Sequence, residues 1–160
     1  MREMRRQDRN ITDPARIADV LDSAKTMHLG LVEDGRAYVV PLNYGWVEKD
    51  GRYTIYAHSA ADGRKIDLIG EGAEVGFEMD VIVDYFDAPT ACGWGNHFKS
   101  IIGEGHATLC QTAEEKRAGL TAVMQHYTQK TDWTFEDKMV DLVSVIRIDV
   151  TALSCKSNVQ

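Results

Sequence analysis

The sequence predicts a mainly β, antiparallel, barrel-like α+β domain. Three observations carry that reading. About six apolar or β-branched runs follow one another at hairpin spacing, and the first of them are separated by Asp34-Gly35 and Asp50-Gly51, dipeptides that favour tight turns. Segments with helical periodicity number only three or four, too few for a parallel sheet built from βαβ units. A length of 160 residues suits one domain spanning 1–160, with a core large enough to stand without disulfides or metals.

Taken in order, Thr12-Asp13-Pro14 supplies a cap and a proline fit for a first turn. Ile17, Val20, Leu21 and Ala24 then recur at helical spacing, so a helical lead-in over about 12–25 is expected. Met27–Val32, Ala37–Val47 and Arg52–His58 read as three strands of a meander. Asp62–Ile69 reads as a short helix ended by Gly70 and Gly72. Glu74–Met79 and Val81–Phe86 read as two further strands, Ala88–Asn96 as a loop, and His97–Cys110 as a long strand. Thr112 and Glu115 have capping-box spacing, and Leu120, Val123, Met124 and Tyr127 mark an apolar helix face. Alternation of Ile146, Ile148 and Val150 with Arg147 and Asp149 makes Val143–Val150 a half-buried strand.

Composition excludes several classes of function. Eighteen Lys and Arg against twenty-five Asp and Glu give a net charge of −7, which argues against nucleic acid or an anionic membrane as the main partner. An anionic ligand must then be held by a local basic cluster. Cys92, Cys110 and Cys155 are odd in number and widely spaced, so neither a disulfide framework nor a zinc site is indicated. No apolar run reaches the length of a membrane span, and the Arg-rich opening lacks the apolar stretch of a signal peptide. A cytoplasmic protein is expected.

The five histidines include no His-Glu-x-x-His pair, and His97 with His106 would have to share one face of a strand to hold an ion. No metal site is expected. There is no phosphate-binding Gly-rich loop followed by Lys, and Gly70-Glu71-Gly72 follows a helix rather than a strand, the reverse of the dinucleotide-binding order. Cys92 near His97 permits a thiol–imidazole pair, but a small residue in a Gly-rich loop is the better account.

Two segments stand out. In Tyr38-Val39-Val40-Pro41-Leu42-Asn43-Tyr44-Gly45 a proline interrupts a strand-like run. Because Pro41 cannot donate to a ladder, the strand must be bulged or partly unpaired there; it is either a ligand edge or an ordinary edge strand. In Tyr56-Ala57-His58-Ser59-Ala60-Ala61-Asp62-Gly63-Arg64-Lys65 a strand end runs into a helix start. A serine hydroxyl, first-turn amides and two cations are the parts of a phosphate site, although an exposed Arg-Lys pair is usually a solvated face.

These residues resemble a family. Val39 to Gly45, Tyr56 to Ala60 with Gly63-Arg64-Lys65-Ile66-Asp67, and Ser100-Ile101-Ile102-Gly103-Glu104-Gly105 with Ala107 are similar to the flavin-binding split barrels. More narrowly, they resemble the 5-nitroimidazole antibiotic resistance proteins of the pyridoxamine 5′-phosphate oxidase-like superfamily, in the same order from about residue 4 to residue 150. The resemblance implies a six-stranded antiparallel split β-barrel with flanking helices, a homodimer, and one FMN in each of two interfacial clefts. It implies Val40, Pro41, Leu42 and Asn43 along the flavin ring, and His58, Ser59, Arg64 and Lys65 at the ribityl and phosphate. Lys99, Ser100, Ile101 and Gly103 are implied near the cofactor, from either subunit.

The implied activity is an FMN-dependent reductase that takes electrons from NADH or NADPH and gives them to a small organic acceptor such as a nitroaromatic. His58 is a proton donor in that reading, or a strand-end hydrogen-bonding residue. Trp94 and Trp133 line the acceptor pocket or serve as core or dimer contacts. Haem or deazaflavin in place of FMN, and flavin binding without turnover, stay open as alternatives.

Overall fold

A computed structural model describes residues 4–159. In chain order the elements are a 3₁₀ turn at Gln7–Arg9, β1 Asn10–Ile11, α1 Pro14–Ser23, β2 Met27–Glu33, β3 Arg36–Leu42, β4 Tyr44–Lys49, β5 Arg52–Ala60, α2 Arg64–Ile69, β6 Ala73–Phe86, β7 Gly95–Leu109, α3 Ala113–Thr128, α4 Asp137–Asp141 and β8 Val143–Ser157.

All strand pairs are antiparallel, and the hydrogen-bonded order is β3-β2-β6-β7-β8-β5-β4, with β1 added on β8. The expectation of a six-stranded barrel is corrected: among the described residues the sheet has eight strands, and its ladder is open between β3 and β4. The run expected as one strand, Ala37–Val47, divides at Asn43. The Arg36–Leu42 half pairs with β2, and the Tyr44–Lys49 half pairs with β5 at the other end of the sheet. Pro41 causes no bulge, since the β2–β3 register is unbroken from Arg36 to Leu42. It is tolerated because β3 is an edge strand and its second side needs no donor.

Other boundaries move for similar reasons. The two strands expected at Glu74–Met79 and Val81–Phe86 are one, β6, because Asp80 takes an outward position opposite Ser100 and the single register shift falls between Ile82 and Asp84. β8 runs on to Ser157, past a shift where Gly105 pairs with Val150 and Glu104 with Ala152. That shift changes the alternation phase and hides the continuation.

Inward positions form one core that includes Leu21, Met27, Leu29, Ile55, Met79, Ile101, Ile146 and Ile148. Asp13 caps α1 through Ala15 N at 3.1 Å, and Ile17, Val20 and Leu21 are its buried face. Tyr44 is fully buried, and its hydroxyl donates to the Leu21 carbonyl at 2.6 Å. That bond ties the α1 end to the start of β4.

The capping box at Thr112 and Glu115 is present. The buried face of α3, however, is Gly119, Ala122, Val123 and His126 rather than the Leu120, Val123, Met124, Tyr127 stripe expected from hydropathy. Close approach decides this. A Cβ on Gly45 would collide with the Ala122 carbonyl, and one on Gly119 would lie 2.7 Å from a Val145 methyl. Small residues therefore let α3 lie directly on β4, β5 and β8.

Gly45→Ala is expected to destabilise the protein by about 3 kcal/mol, at the upper end for overpacking a core contact. The check is a lower urea midpoint with unchanged slope, and an unshifted midpoint contradicts the α3 docking. A second expectation concerns His126, buried on α3 with its ring centroid 4.6 Å from that of Tyr44 and Nε2 3.0 Å from the Ala24 carbonyl. Burial, then the charge of Lys25, holds its imidazole below the ordinary value of 6.5. The unfolded chain therefore binds a proton that the folded one refuses, so stability is lost as pH falls below about 6.5. In urea melts from pH 7.5 to 5.5, His126→Phe should flatten this slope; parallel profiles for the two proteins would refute the assignment.

Candidate functional site: the corner where the sheet splits

The β4–β5 ladder ends at Tyr44 opposite Ala57, yet β5 continues through His58, Ser59 and Ala60 against β8 alone. On the other side Leu42 has already turned away to pair with Met27. Leu42-Asn43 and His58-Ser59-Ala60 therefore flank the same gap, and β5 presents backbone groups there that no strand takes up among the described residues. Unpaired edge groups of this kind hydrogen-bond ligands or partners.

Along β5, Ser59 faces inward and is buried, while His58 faces outward and is exposed. The His58 side chain has no hydrogen-bond partner among the described residues. Gly63 precedes α2 with φ 127°, a conformation suited to glycine, and delivers Arg64 and Lys65 at the helix start. Arg64 is exposed but folds back onto the β2–β3 hairpin. Its Nε and Nη2 donate to Glu33 Oε2 at 2.9 and 2.5 Å, and its guanidinium lies 4.3 Å from the centre of the Tyr38 ring. The cation is held against the β2–β3 hairpin, with no partner for Nη1 among the described residues.

The implied ring-side residues divide between the two faces of the sheet. Pro41 lies outward beside His28, Glu78 and Ile102, while Val40 lies inward in line with Leu29, Phe77 and Gly103. Ile101 is fully buried, and a Cβ on Gly103 would collide with the Phe77 ring, so these two shape the core beneath the surface. Ser100 is outward opposite Asp80. Lys99 is engaged elsewhere, its Nζ 2.5 Å from Asp19 on α1. Among three surface cavities of about 620, 1150 and 410 Å³, only Lys99 of the implied set is a lining residue.

The outward face beside Pro41 carries features that the sequence reading did not single out. Gly30 pairs with Gly76, leaving a shallow strip between exposed Val32, Val39 and Ile102. His28, Glu78 and Asp80 bring ligand-type atoms within 4.8 Å of one another. Burial, and then the charge of Asp80, raises the Glu78 carboxyl above its usual range. The signal was the outward parity shared by positions 28, 78 and 80, which appears only once the β2–β6 register is known.

The β6–β7 hairpin extends beyond its neighbours. β2 pairs with β6 only as far as Glu78, and β8 pairs with β7 only from Lys99 onward. The outer part of the arm displays Ile82, Tyr85, Phe86 and Trp94, with the Tyr85 and Trp94 rings stacked at 5.3 Å. Trp94 donates to Asp87, whereas Trp133 donates to Thr128 at the end of α3. The two tryptophans are tied to different elements.

Comparison with known proteins places the chain. The family model for pyridoxamine 5′-phosphate oxidase matches residues 13–157. The chain belongs to that family. Among solved structures it resembles a candidate 5-nitroimidazole antibiotic resistance protein from Bacteroides thetaiotaomicron, at 27% identity over 92% of this chain and 86% of that one, with a TM-score of 0.75. It shares its fold with a flavocytochrome, Anf3, from Azotobacter vinelandii, at 17% identity, 99% and 73% coverage and TM-score 0.77. The same holds for an FAD- and haem-binding protein from Mycobacterium smegmatis, at 17% identity, 93% and 73% coverage and TM-score 0.79. No curated protein gives a significant match. Among the described residues no helix is long and apolar enough to cross a membrane.

Proposed function

We propose that this member of the pyridoxamine 5′-phosphate oxidase family binds FMN as a homodimer and reduces small organic acceptors, nitroaromatics in the first instance, with electrons from NADH or NADPH. The observation that carries the reading is the split corner. The open edge of β5 at His58–Ala60 stands beside Leu42-Asn43, and the same strand leads within four residues to two cations at a helix start. Flavin- and haem-binding proteins of the same fold, and the nitroimidazole-resistance relative, support it.

The residues fit the chemistry of the cofactor. FMN carries a phosphate of charge near −2, and in a chain of net charge −7 it needs the local cations Arg64 and Lys65. Glu33 and Tyr38 fix the Arg64 guanidinium, so little side-chain freedom is left to lose on binding. The buried Ser59 hydroxyl and the β5 edge offer hydrogen bonds to a ribityl chain. Backbone groups at Leu42 and Asn43 offer them to the polar edge of a flavin ring, and the strip around Pro41 offers it an apolar wall. When bound, FMN supplies hydride acceptance from a nicotinamide and electron delivery to the acceptor. His58, exposed at the corner, donates a proton to the reduced acceptor.

Dimerisation draws support from the projecting β6–β7 arm. A two-stranded ribbon displaying Tyr85, Phe86 and Trp94 is marginal alone in water, and a second copy covering it removes that apolar surface from solvent.

Arg64→Ala should weaken FMN binding ten- to a hundredfold, or about 1.5–3 kcal/mol, the scale of a charged hydrogen bond. Native mass spectrometry should show two chains with two FMN, and reduced occupancy in the variant. Equal affinity in both proteins would remove Arg64 from the phosphate site. For turnover, anaerobic NADH or NADPH should bleach the flavin bands and a nitroimidazole should restore them. Bleaching without recovery leaves a flavin-binding protein, and a Soret band in place of flavin bands replaces FMN by haem.

A further inference from the structure

A cluster of positive charge in this acidic chain lies away from Arg64. A cavity of about 620 Å³ is lined by Arg6, Arg9, Arg16 and Lys99, with Asp8 and Asp19 as its acidic residues. Two of the four cations are spoken for: Arg6 pairs with Asp8 at 2.5 Å, and Lys99 with Asp19 at 2.5 Å. Arg9 and Arg16 have no carboxylate partner among the described residues. Arg9 is half-buried, its guanidinium 5.9 Å from the Phe98 ring centre, and Lys156 approaches the same ring at 5.3 Å. Arg16 lies in the first turn of α1, where the helix dipole disfavours a cation.

Such an arrangement holds like charges together in a recess of ligand size, inside a molecule whose overall field is negative. Two guanidiniums with no carboxylate partner among the described residues, each able to hold an oxyanion through paired N–H groups, are the usual recognition chemistry for phosphate. The recess is separate from the Arg64 corner of the same chain. Lys99 lies at the α1 end of β7, and α2 leads to Gly72, where a Cβ would be 2.7 Å from His106 Nε2 at the other end. The seven residue steps from Lys99 to His106 span about 23 Å of strand.

We infer that the recess between the N-terminal turn, α1 and β7 is a second anion site, which takes a small molecule bearing a phosphate or pyrophosphate group through Arg9 and Arg16. This does not depend on the flavin reading. Titrating sodium pyrophosphate into the purified protein, in excess FMN and at constant ionic strength, gives a saturable isotherm with one anion per chain. R9A/R16A weakens it at least tenfold, and R64A leaves it within twofold. Should the double variant lose its far-ultraviolet spectrum, R16Q on the exposed side of α1 carries the test, with an expected loss of threefold or more. Absence of saturable heat overturns the inference, as does an isotherm unchanged in the Arg9 and Arg16 variants. Loss of binding in R64A alone also overturns it, by moving the anion to the other corner.

Discussion

Asn43 is the single residue between the strand at one end of the hydrogen-bonded path and the strand at the other. A trans chain can separate Leu42 from Tyr44 by no more than about 7 Å, so the two ends of an eight-stranded sheet must meet at that point. The sheet has to roll, and its inward residues then share one interior. Because β3 leaves to pair with β2 while β4 pairs with β5, the ends touch at one corner and diverge from it. The rolled core and the open corner are consequences of the same covalent link.

That geometry also organises the helices. The Tyr44 hydroxyl reaches the last turn of α1 immediately after the corner, and Gly45 lets α3 rest on the strand that begins there. A buried tyrosine whose hydroxyl has a partner adds rigidity as well as apolar area. The corner is therefore braced by elements on both sides, while the His58–Ala60 edge is left open. A rigid surround with one unpaired edge is what ligand binding requires of a scaffold.

Charge is distributed against the overall balance. The chain is acidic, yet Arg64 and Lys65 stand at one end of the sheet, and Arg6, Arg9, Arg16 and Lys99 gather near the other. The carboxylates that meet them, Glu33, Asp8 and Asp19, compensate some of these cations but, among the described residues, not Arg9 or Arg16. Local cation clusters hold anions in spite of a repulsive global field because exposed distant charges are screened within roughly 10 Å at ordinary salt. Much of the exposed apolar surface gathers on the strip by Pro41 and the projecting β6–β7 arm, while Val47, Tyr127, Trp133, Met139 and Leu142 are exposed elsewhere.

Features set by near neighbours in the chain were legible from residue types alone. These are the Asp13 and Thr112 caps, the Ile17–Val20–Leu21 face of α1, the Asp-Gly hairpins, the alternation of β8 and the Arg64–Lys65 helix start, and each depends on interactions within a few residues. The resemblance assigned the Pro41 and Arg64 segments to one cofactor site. Tertiary structure decided what depends on a distant partner: the division of residues 37–47 at Asn43, the continuity of β6 through Asp80, the rotated face of α3 and the capture of Arg64 by Glu33 and of Lys99 by Asp19. The physical reason is range, since propensity and capping act over one turn, whereas register, close backbone approach and long-range ion pairs exist only after the chain has brought remote segments together.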